Sequence, residues 1–161
     1  MILYMGIDPG LSGCCVVLGH DGSLVDVIDL PVVANGTRRE FLPVAFAKSL
    51  RRYVKEVGAD QIFCSLEKHT PRPGQGISSQ CKSANITGNL EGMLAMAGIS
   101  YEIVHPARWA KVMRDVPGKD KKARSVMAAS RRWPTLDLSR KRDHNRADAA
   151  LIAEYGRLNR E

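Results

Sequence analysis

Long apolar runs, paired cysteines and clustered histidines are all missing from this 161-residue chain. No stretch approaches the ~18 uninterrupted apolar residues of a membrane span. The N-terminus carries no basic region ahead of a hydrophobic core, so a soluble, unexported, cytoplasmic protein is expected, with no membrane partner. The four cysteines, Cys14, Cys15, Cys64 and Cys81, show no CxxC spacing and are read as buried free thiols. His20, His69, His105 and His144 lack the spacing of a zinc site. No Gly-x-Ser-x-Gly or Ser/His/Asp arrangement is present. Pro117-Gly118-Lys119 ends like a phosphate loop, but position 113 is Met, Asp120 follows the lysine, and no strand leads in. Zinc, serine-hydrolase and P-loop chemistry are thereby set aside.

What is present is a chain long enough for one domain spanning 1–161, burying roughly 70% of its unfolded surface, with its charge unevenly placed. Residues 1–104 hold 9 Lys/Arg against 10 Asp/Glu, whereas residues 105–161 hold 15 against 7. A basic C-terminal third suits a polyanion, because neutralising phosphates releases counterions.

In chain order, apolar runs at 1–8, 13–19 and 23–30 are separated by Pro9-Gly10 and by His20-Asp21-Gly22, which predicts a three-stranded meander. Asn35-Gly36 marks a further turn, and the apolar stripe from Arg39 to Val57 predicts a helix closed by Gly58. Gln61 to Glu67 reads as a strand, parallel to its neighbour after the helical crossover. A Pro/Gly-rich loop, His69 to Gly76, precedes a helix capped by Ser78 or Ser79 and running to Ala97. Gly88 and Gly92, one turn apart within it, imply close approach of another backbone, from within the chain or from a second copy. A strand at Ser100 to Val104, a short helix opened by Pro106, a basic helix from Lys119 to Trp133 and an Ala-rich helix from Arg146 to Leu158 complete the chain.

Three acids stand out by position: Asp8 and Glu67 at strand ends, and Asp148 in the apolar Ala147–Ile152 run. Parallel neighbours would set Asp8 and Glu67 side by side, facing one crevice. Several carboxylates there need a compensating cation, and Mg²⁺ with oxygen ligands is the natural one. A pair of such ions serves phosphodiester hydrolysis. For Asp148 the bland alternative is a salt bridge to Arg146 or Arg142. A fourth ligand is ranked Asp143, then Asn145, then His144. Asp143 qualifies only if the last helix begins after it.

Gly6-Ile7-Asp8-Pro9-Gly10, Leu66-Glu67, the Trp109 region, Lys119-Asp120-Lys121-Lys122 and Arg146-Ala147-Asp148-Ala149-Ala150-Leu151-Ile152-Ala153 together resemble the RuvC-type Holliday junction resolvases of the RNase H-like superfamily, in particular the shorter bacteriophage forms. The resemblance implies an α/β, RNase H-like fold: a five-stranded mixed sheet, its first three strands antiparallel and its last two parallel, with helices on both faces. It implies a homodimer paired through the 78–97 helix, two Mg²⁺ per site with Mn²⁺ as substitute, and symmetric nicking of four-way DNA junctions in a bacterial or phage-infected cell. It carries the catalytic carboxylates onto Asp8, Glu67 and Asp148, and an active-site lysine onto Lys121 or Lys122. Its fourth ligand usually stands three residues before the last Asp, where this chain has Asn145; some relatives place an acid at the position of Asp143. DNA contacts are expected from Lys68, Arg72, Gln80, Lys82, Lys119, Lys122 and Arg124. The competing readings are an RNase H-like nuclease for RNA–DNA hybrids or branched DNA, and a junction-binding protein impaired in catalysis.

Overall fold

The computed structural model describes residues 1–36, 38–71, 74 and 76–160. The meander forms as expected: β1 (Leu3–Asp8) pairs antiparallel with β2 (Cys14–Gly19), and β2 with β3 (Leu24–Asp29). The next stretch departs from expectation. β4 (Val32–Asn35) and β5 (Arg38–Phe41) form a separate two-stranded hairpin about Gly36, and α1 (Pro43–Val57) begins only at the proline. Proline favours the first helical position and pushes the residue before it into extended conformation. Arg39–Phe41, expected as the start of the helix, therefore pair as a strand.

β6 (Ile62–Glu67) returns parallel to β1, with Ile7 opposite Leu66. α2 (Ile77–Met96) follows, and β7 (Ser100–Val104) lies parallel to β6. The sheet order is β3-β2-β1-β6-β7, the expected mixed five-stranded arrangement. α3 (Pro106–Trp109), α4 (Lys121–Arg132) and α5 (His144–Leu158) complete the fold. α2 starts after Gly76 with no side-chain cap, so Ser78 and Ser79 fall in its first turn. α4 is capped by Asp120, whose carboxylate accepts from the Lys122 and Ala123 amides. Among the described residues no helix is long and apolar enough to cross a membrane.

Alternation along the strands separates two cores. Leu3, Met5 and Ile7 of β1, with Ile62, Cys64 and Leu66 of β6, pack toward α1 and α2. Tyr4, Gly6 and Asp8, with Phe63, Ser65 and Glu67, therefore point to the opposite face, where α4 and α5 build the second core with Trp109 and Met113. Of the four thiols, Cys14, Cys15 and Cys64 are buried as expected; Cys81 is exposed, because it lies on the outer side of the first turns of α2.

α5 lies unusually close to the sheet. A Cβ on Gly6 would collide with the Ala149 carbonyl and the Ala153 amide, and one on Gly156 would collide with the Ser65 hydroxyl. Ala147, Ala149, Ala150 and Ala153 are fully buried, and their small side chains let the helix settle onto β1. By contrast, a Cβ on Gly88 or Gly92 of α2 would meet nothing within 4 Å. No described part of the chain covers these two glycines. A groove of about 610 Å³ runs alongside them, between α1 and α2.

Candidate metal and nucleic-acid site

The β1–β6 register sets Asp8 and Glu67 at adjoining strand ends on one face. The close seat of α5 on Gly6 brings Asp148, in its second turn, over them. Asp8 holds its proton well above the usual carboxylate range. Burial is the main cause, followed by the charges of Glu67 and Asp148 and a hydrogen bond shared with Glu67, while Lys121 pulls the other way. Asp148 is shifted upward as well, chiefly by burial, against the nearby Ser125 hydroxyl and Lys121. Its Oδ1 is buried without a hydrogen-bond partner among the described residues, a costly condition for a carboxylate oxygen.

Trp109 ties this group together. Fully buried, it donates Nε1–H to Glu67 Oε1 at 2.9 Å. Lys121 Nζ stands 4.4 Å from the centroid of its ring, a cation–π distance. One side chain thus orients an acid and holds a cation beside it. The sequence pointed only to the region of Trp109; the available signal was the need of a buried indole N–H for an acceptor. Of the two candidate lysines, the structure brings Lys121 to the carboxylates. Lys122 is exposed, and its carbonyl accepts from Ser125 Oγ at 3.0 Å.

Asp143 goes elsewhere. α5 does begin directly after it, at His144, which was the condition for its joining the site. Its side chain is instead 1% exposed, with Oδ2 accepting from the Arg140 amide at 2.8 Å and Oδ1 from Arg140 Nε at 2.9 Å. Asp143 thus caps the 3-10 turn Lys141–Asp143 and belongs to an ion-pair network outside the carboxylate group. In that network Arg146 binds both oxygens of Asp29, each at 2.8 Å, and reaches Asp137 at 3.4 Å and Asp143 at 3.8 Å. Arg146 is so occupied, and among the described residues neither it nor Arg142 forms the ion pair with Asp148 that was the alternative reading. The proton affinity of Asp29 falls below the usual range through its bonds to Arg146 and Arg140. The network pins the start of α5 to the end of β3, two strands from Asp8.

Asn145 donates Nδ2–H to the Ser12 carbonyl at 2.6 Å, tying α5 to the turn that follows Asp8. His144 Nδ1 lies 3.1 Å from the Lys141 carbonyl.

Among the expected DNA-facing residues, Lys68, Lys82, Lys119 and Lys122 are exposed and Gln80 is half-buried at the start of α2; Arg72 lies outside the described residues. Arg124 is engaged within the fold: Nε donates to the Val116 carbonyl at 2.9 Å and Nη2 to the Met113 carbonyl at 2.8 Å. These bonds close the turn leading into α4. Arg124→Ala is therefore expected to lower stability by about 1–3 kcal/mol, seen as a lower urea midpoint, and to leave the salt dependence of DNA binding unchanged. A slope reduced by about one unit with stability intact would instead make Arg124 a phosphate contact.

Hard oxygen donors, concentrated negative charge, an orphaned carboxylate oxygen and a positioned lysine fit a divalent cation better than any soft metal. Among the described residues no group of three His, Cys, Asp or Glu side chains forms a ready-made metal shell. The fit rests on the chemistry of the donors.

No family model matches the sequence, and no curated protein matches it. Solved structures do. The chain is similar to Thermus thermophilus RuvC in complex with a Holliday junction substrate, with 13% identity and a TM-score of 0.64, covering 96% of this chain and 92% of that one. A second Thermus thermophilus RuvC structure matches with 16% identity and a TM-score of 0.51 over the same shares. Sequence identity this low speaks for architecture alone: over nearly its whole length, the chain has the RNase H-like fold of RuvC.

Proposed function

We propose that this protein is a divalent-metal-dependent endonuclease that resolves four-way DNA junctions by paired symmetric nicks. The observation that carries the reading is the convergence of Asp8, Glu67 and Asp148, with Lys121, at one end of a RuvC-like sheet. The ligands are Asp8, Glu67 and Asp148 for two Mg²⁺, with Mn²⁺ as substitute; Asp143 is left to its arginines. Ions bound there supply an activated water and stabilise the leaving oxygen of a phosphodiester. Trp109 fixes the direction of Glu67, and the Lys121 ammonium, held against the indole, faces the phosphate. Lys68, Gln80, Lys82, Lys119 and Lys122 contact the DNA backbone, which supplies affinity without sequence information.

The active form is a homodimer paired through α2. Its support is the uncovered pair Gly88 and Gly92 beside Met96, which is 89% exposed. Two sites in one dimer account for paired incision.

The test is cleavage of an immobile four-way junction with Mg²⁺, labelled on each strand in turn. Symmetric nicks in strands of like polarity, ligatable and therefore bearing 5′-phosphate and 3′-hydroxyl ends, are expected. Cutting of the RNA strand of a hybrid with the junction left intact would favour the RNase H reading. Junction binding with no cleavage in Mg²⁺ or Mn²⁺ would leave only a binding protein, with Asn145 as the first suspect.

A further inference from the structure

At the ion-pair network of Asp29 and Asp143 lies a cavity of about 90 Å³, walled by the turn 9–13 that follows Asp8, the β4–β5 hairpin and the segment entering α5. We propose that it is a second phosphate-binding pocket, which takes a backbone phosphate flanking the scissile bond, with Arg39 and Arg142 as its cations. The identity of the ligand as a nucleic-acid phosphate rests on the nuclease reading above.

Four arginines, Arg39, Arg140, Arg142 and Arg146, are among the residues that line the cavity, against two acids, Asp29 and Asp143. The pairings divide them. Arg140 and Arg146 are saturated by Asp29, Asp137 and Asp143 and form a rigid wall. Arg39 donates only to neutral oxygens, the Leu11 carbonyl at 2.8 Å and Ser12 Oγ at 3.4 Å. Among the described residues Arg142 has no hydrogen-bond or ion-pair partner. Two positive charges in the pocket are thus uncompensated, both guanidinium forks whose geometry matches phosphate oxygens. The space has room for several waters, and so for one tetrahedral phosphate.

Position gives the pocket its purpose. Leu11, Ser12 and Gly13 form one wall, and the same turn starts at Asp8. Arg39 grips that turn from the hairpin, and Asn145 grips it from α5. A strand anchored here is held by the very segments that carry Asp8 and Asp148, so its neighbouring phosphate is presented to the carboxylates. The β4–β5 hairpin, which has no place in the five-stranded sheet, acquires a role as the outer jaw.

The test compares wild type with Arg142→Gln and Arg39→Gln by fluorescence anisotropy on a four-way junction over a KCl series without divalent ions. Thermal stability and ¹⁵Nε–¹H arginine spectra, titrated with inorganic phosphate, are recorded alongside. For Arg142→Gln, unchanged stability, several-fold weaker binding and a salt slope reduced by about one unit are expected. Phosphate should shift the Arg39 and Arg142 signals in the wild type. Wild-type affinity and slope in Arg142→Gln, with no phosphate-induced shift, would overturn the pocket while leaving the nuclease reading intact. If the wild type binds no branched DNA yet phosphate still moves both signals, the nuclease reading fails and the pocket stands as a site for free phosphate.

Discussion

Asp8→Asn is expected to abolish Mg²⁺-dependent junction cleavage and, in the same protein, to raise stability measured at neutral pH without divalent ions. The two effects share one cause. Asp8 is buried beside Glu67 and Asp148, which lifts its proton affinity well above the usual range. A carboxyl whose folded pKa exceeds its unfolded value of about 3.9 stabilises the fold at low pH. That contribution is lost as pH rises through the folded value. At neutral pH the raised proton affinity of Asp8 is therefore a cost to the metal-free fold, because the unfolded chain ionises this carboxyl more readily than the folded one. Asn removes the charge and the cost together. The advantage of Asp8→Asn should grow with pH above about 4 and vanish in acid. Asp148, also shifted upward by burial, adds to the same trend in the wild type.

Divalent ions should reverse the order. Saturation at a hundred times Kd stabilises a binding protein by about 2.7 kcal/mol, and the variant lacks a central ligand. Loss of several kcal/mol of transition-state stabilisation corresponds to roughly a thousandfold or more in rate, while junction binding persists through the lysines. Urea unfolding across pH, with and without Mg²⁺, and single-turnover cleavage provide the measurements. Near-wild-type cleavage by Asp8→Asn would remove Asp8 from the metal site.

Gly6→Ala is expected to disable the protein from a position that touches no substrate. The added methyl would meet the Ala149 carbonyl and the Ala153 amide, with Ala153 Cα at 2.8 Å. These are backbone atoms of α5, which cannot rotate aside as a side chain does, so the helix must lift. Overpacking of this kind costs about 1–3 kcal/mol, occasionally more, or roughly 2–4 °C in Tm for each kcal/mol at this chain length. The displaced helix carries Asp148 away from Asp8 and Glu67, and a misplacement of about 1 Å can cost on the order of a hundredfold in rate. Thermal unfolding and cleavage rate together test it. A variant that unfolds at the wild-type temperature and cleaves at the wild-type rate would show that α5 does not need this seat.

Much of the architecture was legible because local rules decide it. Asp-Gly and Pro-Gly turns fixed the meander, apolar periodicity marked the bodies of α1 and α2, and the crossover rule made β6 a parallel neighbour of β1. From that pairing alone, Asp8 and Glu67 had to adjoin. The turn at Asn35-Gly36 was legible, but the helix start was read four residues early, at Arg39, because Phe41 and Leu42 continue the apolar stripe of α1; the proline at 43 decides where the helix begins, and 39–41 pair as a strand. The glycines of α2 were read as a close approach, but only folding shows that no described residue covers them.

The fourth acid marks where sequence reasoning ends. Charge alone favoured Asp143 as a ligand, yet Arg140 and Arg146 lie within its reach and claim both its oxygens. A carboxylate among arginines and one among carboxylates look the same along the chain. The sequence by itself determined the strand ends on which Asp8 and Glu67 stand and the basic C-terminal third, because turn chemistry, alternation and composition are local. Only the tertiary structure decided which acids meet, that Lys121 rather than Lys122 joins them, that Arg124 serves the fold, and that Arg39 and Arg142 share a pocket. Those outcomes depend on how closely α5 settles onto Gly6 and which opposite charges then come within reach, distances set by packing between residues far apart in sequence.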